Sequence, residues 1–280
     1  MAIQFRGKHA KASIKWKNVP APLLVFGCLA AVCAVTSCNR GPTEVADAVD
    51  LGNPKAAAEK MAQADVLYAH REDLSQARQA LALLRQARTE DYGSYEIAWK
   101  LSRSNYYVGD HTTNDRERED SFREGIEAGQ RAVKLQNGKP EGHFWLGANY
   151  GGSAKDNTLA SLSSVEDIRR EMEAVLKLDE GFQAGSAYLG LGQLYLQAPR
   201  LLGGDRQKAV DYLEKGLRFG KDNALLRLRL AEAYHLVNRD ADAQKQIDYL
   251  LSMKVDPTFE AEYKEALEKA LKLRPQLRTN

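Results

Sequence analysis

Past residue 38 the sequence holds no cysteine. Its three cysteines, Cys28, Cys33 and Cys38, fall in the first 38 of 280 residues. That excludes an internal disulfide framework and a CxxC zinc site from the remainder. Proline (8) and glycine (21) are not in excess, so most of the chain has a composition that folds. No convincing run alternates apolar with polar residues, so no sheet is predicted. No apolar run reaches the roughly 20 residues that a membrane-spanning helix needs. A concentrated basic surface is missing too. The net charge is +2, but Arg6, Lys8, Lys11, Lys15 and Lys17 precede Cys38, and the first acidic residue is Glu44. From Cys38 onward, 35 basic face 38 acidic residues, a balance near −3 that suits nucleic acid poorly.

Catalytic motifs are equally scarce. His70, His111, His143 and His235 show no HExxH spacing, and none lies beside a cysteine. Gly190-Leu191-Gly192 lacks the third glycine and the preceding strand of a dinucleotide fingerprint. Gly151 to Lys155 lacks the order of a phosphate loop, and no GxSxG is present. The reading is of a chain that is no enzyme and holds no cofactor or metal.

What is present begins with a targeting segment. A basic region, residues 1–20, precedes the apolar stretch APLLVFGCLAAVCAV at 21–35, the order of an export signal. Val35-Thr36-Ser37-Cys38 then resembles a lipobox, where bacterial lipoprotein precursors are lipidated and cut just before the cysteine. The resemblance implies Cys38 as the lipidated mature N-terminus, with two or more acyl chains giving stable anchoring. The plainer alternative is a signal anchor with an incidental cysteine, but only Cys38 sits at the exit of the apolar core. Asn39, rather than an aspartate, leans toward a periplasm-facing place on the outer membrane. Residues 39–54, NRGPTEVADAVDLGNP, read as a tether. The expected segments are a signal at 1–37, a lipidated tether at 38–54, helical repeats at 55–256, and a capping helix with tail at 257–280.

The repeats show in recurring tyrosines: Tyr68, Tyr106, Tyr150, Tyr195 and Tyr234, at spacings of 38, 44, 45 and 39. Leu146-Gly147-Ala148-Asn149-Tyr150 and Leu191-Gly192-Gln193-Leu194-Tyr195 match the L-G-x-x-Y core of tetratricopeptide (TPR) helix A. Leu230-Ala231-Glu232-Ala233-Tyr234 has alanine for the glycine, and Trp99 with Tyr106 keeps the consensus W-to-Y distance. RQALALLRQA, REGIEAGQRAVKL, IRREMEAVLKL, KAVDYLEKGL and DAQKQIDYLL carry apolar or small residues at helical spacing and serve as helices B. Ser163 with Glu166, or Ser164 with Asp167, marks a helix start, and Asp256-Pro257 marks another. Gly109, Gly138, Gly181 and Gly220 are expected at helix ends. The fold class is all-α: a TPR-like solenoid of about five helix pairs with a C-terminal capping helix, whose apolar stripe is Phe259, Tyr263, Leu267 and Leu271.

These repeats exceed the standard length of about 34 residues. The surplus lies between helix A and helix B, at 108–116, 151–163 and 197–205. It reads either as a row of long A–B loops on one edge, a surface for a partner or for oligomerisation, or as lengthened helices.

The lipobox, the cryptic repeats, and the stretches HFWLGANYG and APRLLGGDRQKAVDYLEKGL together resemble the TatT family. These are the repeat-containing lipoproteins associated with TRAP transporters, which are tripartite, ATP-independent and periplasmic. The resemblance covers most of residues 55–255, with Leu202-Gly203-Gly204-Asp205 its most family-like segment. Arg103 and Ile168 depart from the general repeat consensus, which holds small residues there. The resemblance implies a periplasmic scaffold that docks the solute-binding component of the transporter. Two alternatives stand beside it: a scaffold for outer-membrane-protein or pilus assembly, and a carrier of a small hydrophobic ligand. Transferring the TPR register predicts a concave groove lined by Lys100, Ser104, Tyr107, Phe144, Asn149, Gln193, Leu196, Glu232 and His235. That mix suits a peptide segment or helix of a protein partner. Replacing Tyr107 and Phe144 by alanine is then expected to weaken partner capture and leave helical content intact.

Overall fold

A computed structural model of the protein describes residues 52–154, 158–256 and 259–277. The signal segment 1–37, Cys38 and residues 39–51 lie outside the described residues. Among those described there are eleven α-helices and no strand. Five consecutive pairs fold back on themselves: α1 (Pro54–Ala69) with α2 (Leu74–Glu90), α3 (Tyr95–His111) with α4 (Asp115–Leu135), α5 (Pro140–Ala154) with α6 (Thr158–Leu178), α7 (Phe182–Gln197) with α8 (Arg206–Gly216), and α9 (Ala224–Leu236) with α10 (Asp240–Ser252). The last helix is α11 (Glu260–Leu273). No described helix is long and apolar enough to cross a membrane.

Local chemistry sets most of the starts. The side chains of Asn53, Asp73, Ser94, Asn114, Asp205 and Asn223 each accept a backbone N–H from the first turn that follows. These bonds satisfy donors that a helix N-terminus otherwise leaves open. Each helix A packs on the preceding helix B. From α3 onward each helix A also touches the next helix A, so α3, α5, α7 and α9 form one inner layer. The apolar stripes meet between the layers. Leu81, Leu84, Leu101 and Val108 are buried together, as are Met172, Val175 and Leu191, and then Val210, Leu213, Leu228, Ile247 and Leu250.

The surplus length is mostly helix, not loop. Around 108–116, α3 runs on to His111 and α4 starts at Asp115, and Asn114 Oδ1 accepts the Glu117 N–H at 2.9 Å. Around 151–163, α5 reaches Ala154 and α6 starts at Thr158, so the two expected capping boxes at Ser163 and Ser164 fall inside a helix. Both α4 and α6 have 21 residues. Only residues 198–205 form a longer connection, with a 3-10 turn at Arg200–Leu202.

Gly138, Gly181 and Gly220 lie between helices as expected, but Gly109 marks a close approach instead. Gly109 lies inside α3, and a Cβ there would stand 2.9 Å from Phe122 Cε1. A Cβ on Gly152 would stand 2.1 Å from the same atom. The Phe122 ring fills the space that both glycines leave.

One turn is wound the other way. Gln183, Ala184 and Gly185 have φ of 44°, 54° and 78°, left-handed values that cost about 1–2 kcal/mol for each residue bearing a Cβ. Asn223 offsets part of this: its Nδ2 donates to the Ala184 carbonyl at 3.1 Å while its Oδ1 caps α9.

The final helix differs from a cap in its packing. The expected start at Asp256-Pro257 falls partly outside the described residues, which omit Pro257 and Thr258; the Phe259 N–H donates to the Asp256 carbonyl at 2.9 Å and α11 runs from Glu260. It packs mainly on α9, a helix A, and hardly on α10. Its fully buried residues are Ala266 and Ala270, whereas Phe259 and Leu271 of the expected stripe are exposed.

The tightest A–B approach is at Gly192, where an added Cβ would lie 2.4 Å from Leu213 Cγ. Gly192→Ala gains about 1 kcal/mol of helix propensity but forces a side-chain branch point to move, an overpacking cost of about 1–3 kcal/mol. We expect urea denaturation to show net destabilisation of up to about 2 kcal/mol. Gly138→Ala, whose methyl meets nothing within 4 Å, should stay within about 0.5 kcal/mol of wild type.

Candidate docking face

The inner layer carries a band of aromatic and cationic side chains at its N-terminal end. Arg103 sits where the consensus has a small residue, and its guanidinium lies over other side chains rather than among them. It is 3.8 Å from the Tyr68 ring centroid and 5.1 Å from that of Trp99, and it donates to Asp65 Oδ1 at 3.2 Å. Lys100 Nζ donates to the other Asp65 oxygen at 2.7 Å. Tyr106 continues the band, 5.9 Å from Trp145, which meets Phe144 edge-on at 4.9 Å. Burial pushes the Tyr106 phenol well above its usual range, and Asp110 and Glu265 push the same way against Arg229. Tyr106 therefore stays a neutral hydroxyl. Two buried donors of this band, Arg103 Nε and Trp145 Nε1, have no acceptor among the described residues.

The nine predicted groove residues separate into three groups. Gln193, Leu196, Glu232 and His235 come together and line a cavity of about 280 Å³ with Gln197, Arg229, Leu236 and Leu273. There Arg229 Nη1 donates to Glu232 at 2.7 Å, and His235 Nδ1 bonds Asp240 at 2.7 Å. Lys100 and Phe144 are partly covered and belong to the aromatic band. Ser104, Tyr107 and Asn149 do not line a groove, because each is buried. Asn149 Nδ2 donates to the Ser102 carbonyl, the Ser102 hydroxyl and the Trp145 carbonyl. Its Oδ1 fills the place of a side chain at Gly125. Tyr107 stacks on His111 at 3.9 Å inside the first core cluster. Its truncation would open that core, at about 3–5 kcal/mol by analogy with other aromatic truncations, and so would not isolate binding.

Residues that sequence reasoning did not assign to this face include Asp65, Trp145 and Arg229. Arg103 carried a visible signal, since a long cation in place of a small residue must lie outside the helix pair. Ile168, the other departure, is buried and faces Gly151, where an added Cβ would be 3.9 Å from its Cδ1.

Among the described residues, no three His, Cys, Asp or Glu side chains gather as a metal site. The most buried histidine, His143, bonds Glu171 Oε2 through Nδ1 at 2.7 Å and the Asn137 carbonyl through Nε2 at 3.0 Å. Both partners are acceptors, so both ring nitrogens carry hydrogen and the ring is an imidazolium. Arg170 completes the cluster at 2.9 Å from Glu171.

Residues 130–272, just over half of the chain, match the family model described as TRAP transporter T-component. The chain belongs to the TRAP transporter T-component family. Residues 60–181 also match the model described as Regulator of microtubule dynamics protein 1-3. Neither description names a catalytic activity. No curated protein matches the T-component chain. Among solved structures, a thermophilic TPR protein of Thermus thermophilus is 22% identical with a TM-score of 0.55, covering 76% of this chain and 99% of its own. PilF of Pseudomonas aeruginosa is 16% identical with a TM-score of 0.50, covering 79% and 94%. At these identities the likeness is of fold, and it is to TPR proteins. This T-component has a TPR-type fold.

The His143 cluster gives a pH dependence. The Glu171 hydrogen bond raises the His143 pKa, outweighing burial, which lowers it. A raised folded pKa gives stability that is full below the unfolded value of about 6.5 and is lost as pH rises through the folded value. Thermal melts should therefore show wild type losing stability on going alkaline from about pH 6.5. His143→Gln should show no such loss in that window. Parallel curves for the two proteins would contradict the assignment.

Proposed function

We propose that this T-component is an exported, lipid-anchored scaffold whose inner face docks a protein partner, the solute-binding component of a TRAP-type transporter. The supporting observation is the aromatic and cationic band on α1, α3 and α5, with two buried donors that lack acceptors. Aromatic and arginine side chains are those that most often anchor protein interfaces, and an unpaired buried donor is a standing cost that a bound acceptor removes. The family match gives the partner its class, and the lipobox-like Val35 to Cys38 gives the anchor.

The carrier reading draws on the cavity beside Leu196, Leu236 and Leu273. At about 280 Å³ it falls at the small end of ligand pockets, roughly 300–1,000 Å³. The band is the larger feature, so docking is preferred.

The test is in-cell photocrosslinking. A photoreactive residue at Trp99 or Gln193 should capture the solute-binding protein, and one at Tyr92, on a turn and 63% exposed, should not. Arg103→Glu should cut capture by about tenfold or more, with the helical circular dichroism unchanged. Capture of pilus or barrel-assembly components would favour envelope assembly, and capture from Tyr92 alone would refute an inner-face site. Cys38→Ala should move the protein from the membrane to the soluble periplasmic fraction.

A further inference from the structure

The last helix lies on the docking face rather than at the end of the stack. Ala266 and Ala270 are fully buried in the cluster built on α9. The other end of α11 reaches the first repeat. In the turn between α1 and α2, Arg71 Nη2 donates to both carboxylate oxygens of Glu262 at 2.7 Å, across 191 positions of sequence. The Arg71 side chain is only 8% exposed, and its guanidinium lies 5.0 Å from the Tyr68 ring centroid. Between these contacts Glu265 is near enough to Tyr106 for its charge to act on the phenol. One helix therefore runs from the first repeat to the fifth across the inner face.

Its attachment is partial: Tyr263, Leu267 and Leu273 pack against the same cluster but are only partly buried. Glu262, Ala266 and Ala270 fall at i, i+4 and i+8 on one stripe, so the fully buried part of the helix is two methyl groups. Phe259 and Leu271 are 48% and 52% exposed. Lys264, Lys269 and Lys272 pair with Glu260, Glu265 and Glu268 within α11. Those i,i+4 pairs support the helix whether or not it is docked. On the same face, Arg103 Nε and Trp145 Nε1 remain without acceptors while α11 is in place.

We propose that α11 is a displaceable occupant of the docking face, latched by Arg71 and Glu262. The partner it stands in for is an acidic amphipathic helix that offers Arg71 a carboxylate and small side chains one and two turns later. This rests on the inner face being the docking site. A tethered occupant competes at an effective concentration of about millimolar. The partner therefore meets only the fraction of molecules in which α11 is released.

The probe is a fluorescein-labelled synthetic peptide of residues 259–277, added to the full-length protein. Glu262→Arg should bind it at least about tenfold more tightly than wild type. The double variant R71E/E262R restores the latch with its charges exchanged and sets a carboxylate at position 71 against the peptide's own glutamate. It should return to weak binding. Hydrogen exchange should quicken in α11 of Glu262→Arg, recover in the double variant and stay constant in α9 and α10. Equal peptide binding by wild type and Glu262→Arg, binding by neither, or unchanged exchange in α11 would overturn the latch. Those results leave docking at the inner face standing, whereas partner crosslinking confined to Tyr92 would sink the docking reading and leave the peptide result intact.

Discussion

Three of the five pairs depend on one constraint: a helix-A residue with no side chain must accept a bulky residue of its own helix B. Gly192 accepts Leu213, and Gly147 accepts Met172, where an added Cβ would lie 2.9 Å from Cε. Packing this close is what brings the apolar stripes into register, since interiors are dense and a single methyl is felt. The same residues decide which face is which. Once Leu213 enters beside Gly192, Gln193 and Leu196 have to turn away from α8, toward the inner side. Binding surface and core are thus two readings of one helical period.

That period makes most of the fold legible in the sequence. Five recurring tyrosines, three of them with glycine or alanine three residues ahead, mark five helix pairs, and Asn, Asp and Ser caps mark where most begin. The departures have one physical source. Gly109 carries a signal that means a helix end in isolation, but tertiary packing outweighs it. Phe122 needs a glycine opposite it, and a helix supplies that as readily as a turn does. Residues 108–116 and 151–163 consequently lengthen helices, and only the Pro199–Gly204 region, where proline and paired glycines coincide, stays a connection.

The docking face was legible in part. Gln193, Leu196, Glu232 and His235 gather at one cavity because their repeats follow the consensus. In the second and third repeats Ser104, Tyr107 and Asn149 are buried instead. There an asparagine replaces an apolar residue, bridges Ser102 and Trp145, and occupies space left by Gly125. Polar identity suggested solvent, but the three bonds donated by Asn149 Nδ2 hold this amide inside the helix layer. The contact between Arg71 and Glu262 left no trace in the sequence, because neither local spacing nor composition links positions 191 residues apart. The stripe of α11 was half legible: Tyr263 and Leu267 pack partly buried against the α9 cluster, whereas the fully buried residues are alanines and Phe259 and Leu271 are exposed.

Docking at the inner layer is tested most sharply by hydroxyl-radical footprinting of the full-length protein with and without its captured partner. If the inner layer is the docking face, Trp99, Tyr106, Trp145 and Leu196 lose reactivity in the complex, and Tyr92, Leu178 and Tyr249 keep theirs. Protection of Tyr92, Leu178 and Tyr249 with the inner residues unchanged would contradict it.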